Sequence, residues 1–328
     1  MKRLAYSAVL VAGLAVAVGF VGCSSAPNPW KDTPSPRVAT TFPPLYCFAK
    51  NVLGDHGDAH SLSDATGPHH YDPSTEDSYW LRGADLFVAS GLGLDKFADR
   101  AEQTSQNARL AYLKVGDKLP KDLLLAAEHE DEHDKGKPGH AHEHEHGEFD
   151  PHVWLGTPQA IRMVEIIRDE LKRLDPPHAE DYDKNAAKYA QALKDLHKDG
   201  KDELAKAKDR KIISFHDSLR YFAKSYDLTI VDVIEKGPGE EATTPEMINL
   251  VKKCVEEKVR VIAVEPQYPK STSARVLQEE LQKKNHKVTL VEIDPLETAD
   301  PKELQKEGAR WYEKKMRGNL RRLAEALK

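Results

Sequence analysis

Histidine carries the first chemical signal: fifteen occur in 328 residues, and they fall into two kinds of setting. Six of them, His129, His133, His140, His142, His144 and His146, crowd into residues 128–150 among nine acidic residues. Neutral imidazole is the commonest protein ligand for zinc, copper and nickel, so this stretch reads as a low-affinity, multi-site contact for a divalent transition metal. Apart from Phe149 it has no apolar residue able to anchor a core, and residues 128–149 are expected to form a disordered, solvated loop.

Three other histidines sit in compact polar contexts. His69 lies in Gly67-Pro68-His69-His70-Tyr71-Asp72, His152 in Asp150-Pro151-His152-Val153-Trp154, and His216 directly follows the apolar run Lys211–Phe215. Proline fixes the backbone before His69 and before His152. His216 ends a candidate strand, where open α/β sheets bind their ligands. Taken singly, each is compatible with a turn residue or a satisfied surface side chain. Together with Asp294, which ends another strand in Ile293-Asp294-Pro295-Leu296, they make three imidazoles and a carboxylate, a set suited to tetrahedral zinc. His70 reads as exposed or supporting. Glu265 closes a further strand and either orients a ligand, holds the cleft between lobes or caps that strand.

The elements that must position these residues alternate. Candidate strands are residues 37–41, 58–61, 86–90 and 108–113, then 211–215, 229–234, 259–265 and 287–293. Continuous apolar runs such as Leu86–Ala89 and Val261–Val264 suit strands buried on both faces of a parallel sheet. Thr157-Pro158 reads as an N-cap followed by a first-turn proline, opening a helix that Asp175-Pro176-Pro177 stops. The strands form two groups of four. Between them, residues 178–209 carry Tyr182, Ala186, Tyr189, Leu193 and Leu196 at helical spacing, a long connecting helix whose far end Gly200 weakens. The expected fold is α/β, with two mostly parallel four-stranded lobes at 37–177 and 210–328. No internal repeat is visible in the sequence.

Residues 1–22 read as an address. Lys2 and Arg3 precede an apolar run to Phe20, about the length of a signal h-region and short for a membrane span. The run ends at Val21-Gly22-Cys23-Ser24-Ser25, which resembles a lipobox with Cys23 as the lipidated residue; an uncleaved anchor is the alternative. Residues 23–36, with four prolines, read as a tether. Cys47 and Cys254 fall on apolar positions of helices as small core residues, with a disulfide between them as the other possibility.

Several classes are excluded. A net charge of −6 argues against nucleic-acid binding. No GxxxxGK[ST] loop occurs, so the chain cannot supply an ATPase. Gly91-Leu92-Gly93 lacks the third glycine of a dinucleotide fingerprint. A lipid-anchored zinc-dependent hydrolase, with Glu265 or Asp217 as base, would need an open metal position, and no HExxH motif supports it.

The ordered set of motifs resembles the zinc-binding solute-binding proteins of ABC importers, a family that also holds manganese-binding lipoproteins and adhesins. Pro68-His69-His70-Tyr71-Asp72-Pro73-Ser74 is similar to its first ligand motif, with Asp72 where Glu is commoner. DPHVW matches the second, and SFHDSLRYFAKSYDL, AVEPQYP and VEIDPL follow in order. The resemblance implies two lobes joined by a rigid helix and a metal in the interlobe cleft. It assigns His69 and His152 from the N-lobe, and His216 and Asp294 or water from the C-lobe. The manganese branch usually places Glu where His216 stands, so zinc is the expected ion, with manganese import as the alternative. The implied partners are an ABC permease with its ATPase subunit, and the membrane through the N-terminal lipid. The implied protein is an extracytoplasmic monomer, periplasmic or at the cell surface, and not an enzyme.

Overall fold

The structure, a computed structural model, describes residues 28–127, 147–235, 242–267 and 272–328. The address at 1–22, Cys23 and the six clustered histidines lie outside the described residues. Among the described residues no helix is long and apolar enough to cross a membrane.

The first half runs β1 (Arg37–Thr40), α1 (Pro43–Leu53), β2 (Asp58–Ser61), α2 (Thr75–Gly83), β3 (Leu86–Ala89), α3 (Phe97–Thr104) and β4 (Ala111–Lys114). Its strands form a parallel sheet in the order β2-β1-β3-β4. After α4 (Thr157–Leu174) and α5 (Ala179–Leu204) come β5 (Lys211–His216), α6 (Arg220–Ser225), β6 (Thr229–Glu235), α7 (Thr244–Glu256), β7 (Val261–Val264), α8 (Thr272–Lys283) and β8 (Thr289–Glu292). These strands form a second parallel sheet, β6-β5-β7-β8. The two sheets share one strand order, a repeat of architecture that the sequence does not display. Both central strands, β1 and β5, are switch points where successive crossovers leave in opposite directions, so each sheet offers a crevice at its carboxyl edge.

The eight expected strands are all present, with shifted ends. β4 starts at Ala111 rather than residue 108, because Asn107 folds residues 107–110 into a turn through its Oδ1 and carbonyl. Thr157 is the first residue of α4 rather than its cap, which is Gly156. The threonine hydroxyl is engaged elsewhere, 3.0 Å from the Tyr226 hydroxyl. The tether expectation fails from Asn28 onward. Trp30 is 2% exposed, packs edge-on against Trp80 at 4.7 Å, and donates its Nε1–H to the Trp80 carbonyl. One buried indole removes about 150–250 Å² from water, enough to fold a proline-rich segment back onto the lobe. Gly147–Phe149, expected in the loop, also pair with the body: Ala126 and Phe149 form an antiparallel bridge. Cys47 and Cys254 are both free and buried, in separate apolar clusters.

Each half has a smaller apolar cluster of its own, but the two share the largest one. One cluster runs from Val38 and Phe48 through Trp154 and Tyr189 to Ile212, Trp311 and Leu327. The chain closes this interior with α9 (Pro301–Glu307) and α10 (Trp311–Ala326), and α10 packs back on α1 and α5. Tyr312 meets Phe48 edge-on at 4.9 Å and donates its hydroxyl to the Trp154 carbonyl. Trp154 in turn donates its indole N–H to Pro295 O at 2.8 Å.

Gly200 does not interrupt α5. A Cβ there would lie 2.6 Å from Tyr226 Cε1 and 2.7 Å from Leu320 Cδ1, so the glycine admits neighbouring side chains to the helix backbone. Gly200→Ala sets a gain of about 1 kcal/mol in helix propensity against about 1–3 kcal/mol of overpacking. Overpacking should win because the Tyr226 ring is held through Thr157. The expected outcome is a lower melting temperature for Gly200→Ala, read by calorimetry of the metal-free protein.

Candidate metal centre

His69 stands in the loop after β2, behind Gly67 and Pro68. Gly67 has φ +77° and faces the opposite half, where a Cβ would sit 3.3 Å from Thr298 Cγ2 and 3.6 Å from Glu297 Cβ. Glycine therefore lets the two loops meet. His152 precedes a single 3-10 turn, Val153–Leu155, that leads into α4. His216 is the last residue of the central strand β5, at the carboxyl edge of its sheet.

The structure brings these three histidines together. Ring centroids are 5.5 Å apart for His69–His152 and for His152–His216, and 6.4 Å for His69–His216. The fourth member is Glu297: one ligand atom from each of His69, His152, His216 and Glu297 lies within 4.8 Å of the others. Oε1 of Glu297 is 3.5 Å from Nε2 of His69 and 3.5 Å from Nε2 of His152. A tetrahedron with bonds of ~2.1 Å has edges of ~3.4 Å, so these separations suit a cation at the centre. His69 Nε2, His152 Nε2 and Glu297 Oε1 are all buried without a hydrogen-bond partner. Orphan polar atoms are costly, and three facing one another match the donor set of a metal site.

Asp294, expected as the fourth ligand, is turned elsewhere. Its Oδ1 accepts the Leu296 N–H at 2.8 Å, and its Oδ2 lies 3.5 Å from Lys315 Nζ. Burial raises its pKa, opposed by that N–H and by Lys315. The turn it caps places Leu296 at φ +63°, a left-handed conformation costing a non-glycine residue about 1–2 kcal/mol. Burial of the Leu296 side chain offsets that cost, and the reversal carries Glu297 to the histidines. Glu297 directly follows the quoted IDPL motif. A carboxylate just past a strand end was a weak available signal, but the strained leucine that aims it was not.

Two ligands are held from behind. Asp150 Oδ1 lies 2.9 Å from His152 Nδ1 and also accepts the His152 backbone N–H. Glu265 Oε1 lies 2.9 Å from His216 Nδ1, and the Glu265 carboxylate is itself bound by Ser218 Oγ and Gln267 Nε2. A carboxylate at Nδ1 fixes an Nδ1–H there and leaves the Nε2 lone pair for a cation. Glu265 is thus a buried partner of His216 rather than a bare strand cap. Burial would lower the His152 pKa, but Asp150 and Glu297 outweigh it and lift the ring to about 10 in the metal-free protein. His216 is likewise raised, Glu265 outweighing burial. Burial would raise the Glu297 carboxyl, yet His152 and His69 hold it far below the usual carboxylate range. His70 is exposed.

Comparison with known proteins agrees with this architecture. The chain is 34% identical over 232 residues to the zinc-binding lipoprotein AdcA of Streptococcus pneumoniae (strain ATCC BAA-255 / R6), covering 70% of this chain and 45% of that protein. The chain spans about half the length of the curated AdcA relatives it matches. Among solved structures, the Zn(II)-bound ZnuA-like domain of Streptococcus pneumoniae AdcA aligns with a TM-score of 0.66 at 28% identity, over 89% of this chain and 98% of that one. The SBP FpvC from Pseudomonas aeruginosa in complex with Mn2+ aligns with a TM-score of 0.73, also at 28% identity, over 89% and 98%. The family model described as zinc-uptake complex component A, periplasmic, matches residues 38–326. The chain belongs to that family.

Proposed function

We propose that this protein captures Zn2+ outside the cytoplasm and delivers it to an ABC permease, whose separate ATPase subunit drives import. The observation that carries this reading is the set of three buried, unpartnered ligand atoms facing one another, from His69, His152 and Glu297, closed by His216. Zinc is cargo here. Three imidazoles and one carboxylate suit it better than the oxygen-rich shells that manganese prefers. Four protein ligands leave no open position for an activated water, which supports a binding rather than a catalytic role. His129, His133, His140, His142, His144 and His146 serve as weaker, auxiliary metal contacts. Cys23 carries the lipid anchor, and the protein works as a monomer.

Competition between zinc and manganese for the purified full chain tests the metal. One tightly held zinc per molecule, displaced poorly by manganese, is expected; preferential retention of manganese overturns the assignment. Glu297→Gln should weaken the tight site by more than the roughly 10–100-fold that loss of a supporting partner costs. Asp294→Asn, which keeps the acceptor for the Leu296 N–H, should leave that affinity nearly intact. Chelator competition reads both.

Binding must also expel protons. Asp150 and Glu297 raise the His152 ring well above its ordinary value in the metal-free protein, so near neutral pH zinc competes with a proton there. Affinity should therefore rise with pH throughout the range below about 10, and fall in acid. Calorimetry in two buffers of different ionisation enthalpy should show at least one proton released per zinc at neutral pH.

A further inference from the structure

We infer that Arg220, in the C-terminal half, is a positioning residue for His152, in the N-terminal half, acting across the cleft through Asp150. The inference rests on the metal-site reading above. Asp150 has two oxygens with different surroundings. Oδ1 holds His152 twice, through its backbone N–H and its Nδ1. Oδ2 is buried without a hydrogen bond, and the Arg220 guanidinium stands 3.8 Å away as its ion-pair partner. A buried carboxylate oxygen with no hydrogen bond depends strongly on such a charge, because little water screens it.

The guanidinium is itself fixed. Arg220 Nη1 donates to the Ala126 carbonyl at 2.7 Å. Its neighbour Tyr221 accepts the Leu125 N–H at 2.9 Å and donates to the Asp150 carbonyl at 3.0 Å. Leu125 and Asp150 also join directly, Asp150 N–H to Leu125 O at 2.9 Å. Arg220 and Tyr221 thus grip both strands of the pair that begins at Ala126 and Phe149. They open α6, four residues after His216. The chain that supplies one metal ligand therefore also sets the carboxylate that orients another, and His152 adopts its binding tautomer in the geometry where His216 is already opposite.

A double-mutant cycle separates this role from general interlobe packing. The tight-site dissociation constant of the full chain for Zn2+ would be read by competition with a high-affinity chelator, so that weak sites do not contribute. Arg220→Gln and Asp150→Asn should each weaken binding roughly 10–100-fold. The double variant should be no weaker than Asp150→Asn alone, because Arg220 acts through Asp150. Arg220→Gln combined with Glu265→Gln should be multiplicative, since Glu265 serves His216. Arg220→Lys, which keeps the charge, should recover part of the loss. An unchanged affinity in Arg220→Gln, or multiplicative losses in the Arg220/Asp150 pair, would overturn the proposal. An unchanged affinity in Asp150→Asn would overturn it too, whereas an unchanged affinity in His152→Ala would instead overturn the ligand assignment of His152. Melting curves of each metal-free variant establish that it is folded.

Discussion

Negative charge buried beside the imidazoles is the constraint on which the centre depends. Asp150, Glu265 and Glu297 are all buried, each with an oxygen 2.9–3.5 Å from an imidazole nitrogen. Away from water, such groups are tolerated only with compensating cations. In the metal-free protein the carboxylates raise His152 and His216, whose protons supply part of that charge. A divalent ion supplies it at one point and satisfies the orphan atoms together. Selection by charge and by nitrogen content then come from the same residues.

Position follows from topology. Each sheet has the same strand order and the same kind of switch point, so each half presents loops at its carboxyl edge. His216 ends the central strand of the second sheet, while His69 follows the edge strand of the first. The remaining donors arrive on turns: His152 before a 3-10 turn and Glu297 after a left-handed leucine. A strand end and three turns together bring the four donors within reach of one another.

The sequence was legible wherever a residue's role depends on local pattern. Buried parallel strands announce themselves as continuous apolar runs, and proline before His69 and His152 marks fixed backbone. The same pattern misled where a tertiary partner decides. Trp30 sits among prolines and reads as tether, yet Trp80 and His60 receive it. Asp294 has the right type and place for a ligand, yet the Leu296 N–H and Lys315 take its oxygens. Gly200 reads as a weak point in a helix, although the bulk pressing on it comes from Tyr226 and Leu320. In each case the deciding neighbour is at least 21 residues away or depends on a dihedral that leucine rarely adopts.

The apolar cluster shared by the two halves sets the cost of separating them. Swinging the halves apart like a clam would wet Trp154, Phe48 and Tyr312, each an aromatic worth roughly 4–6 kcal/mol of burial at ~25 cal/mol per Å². Loosening is far cheaper at the rim, where the His69 loop and the Glu297 turn meet over Gly67 and are joined by a backbone bond from Ala299 to Asp64.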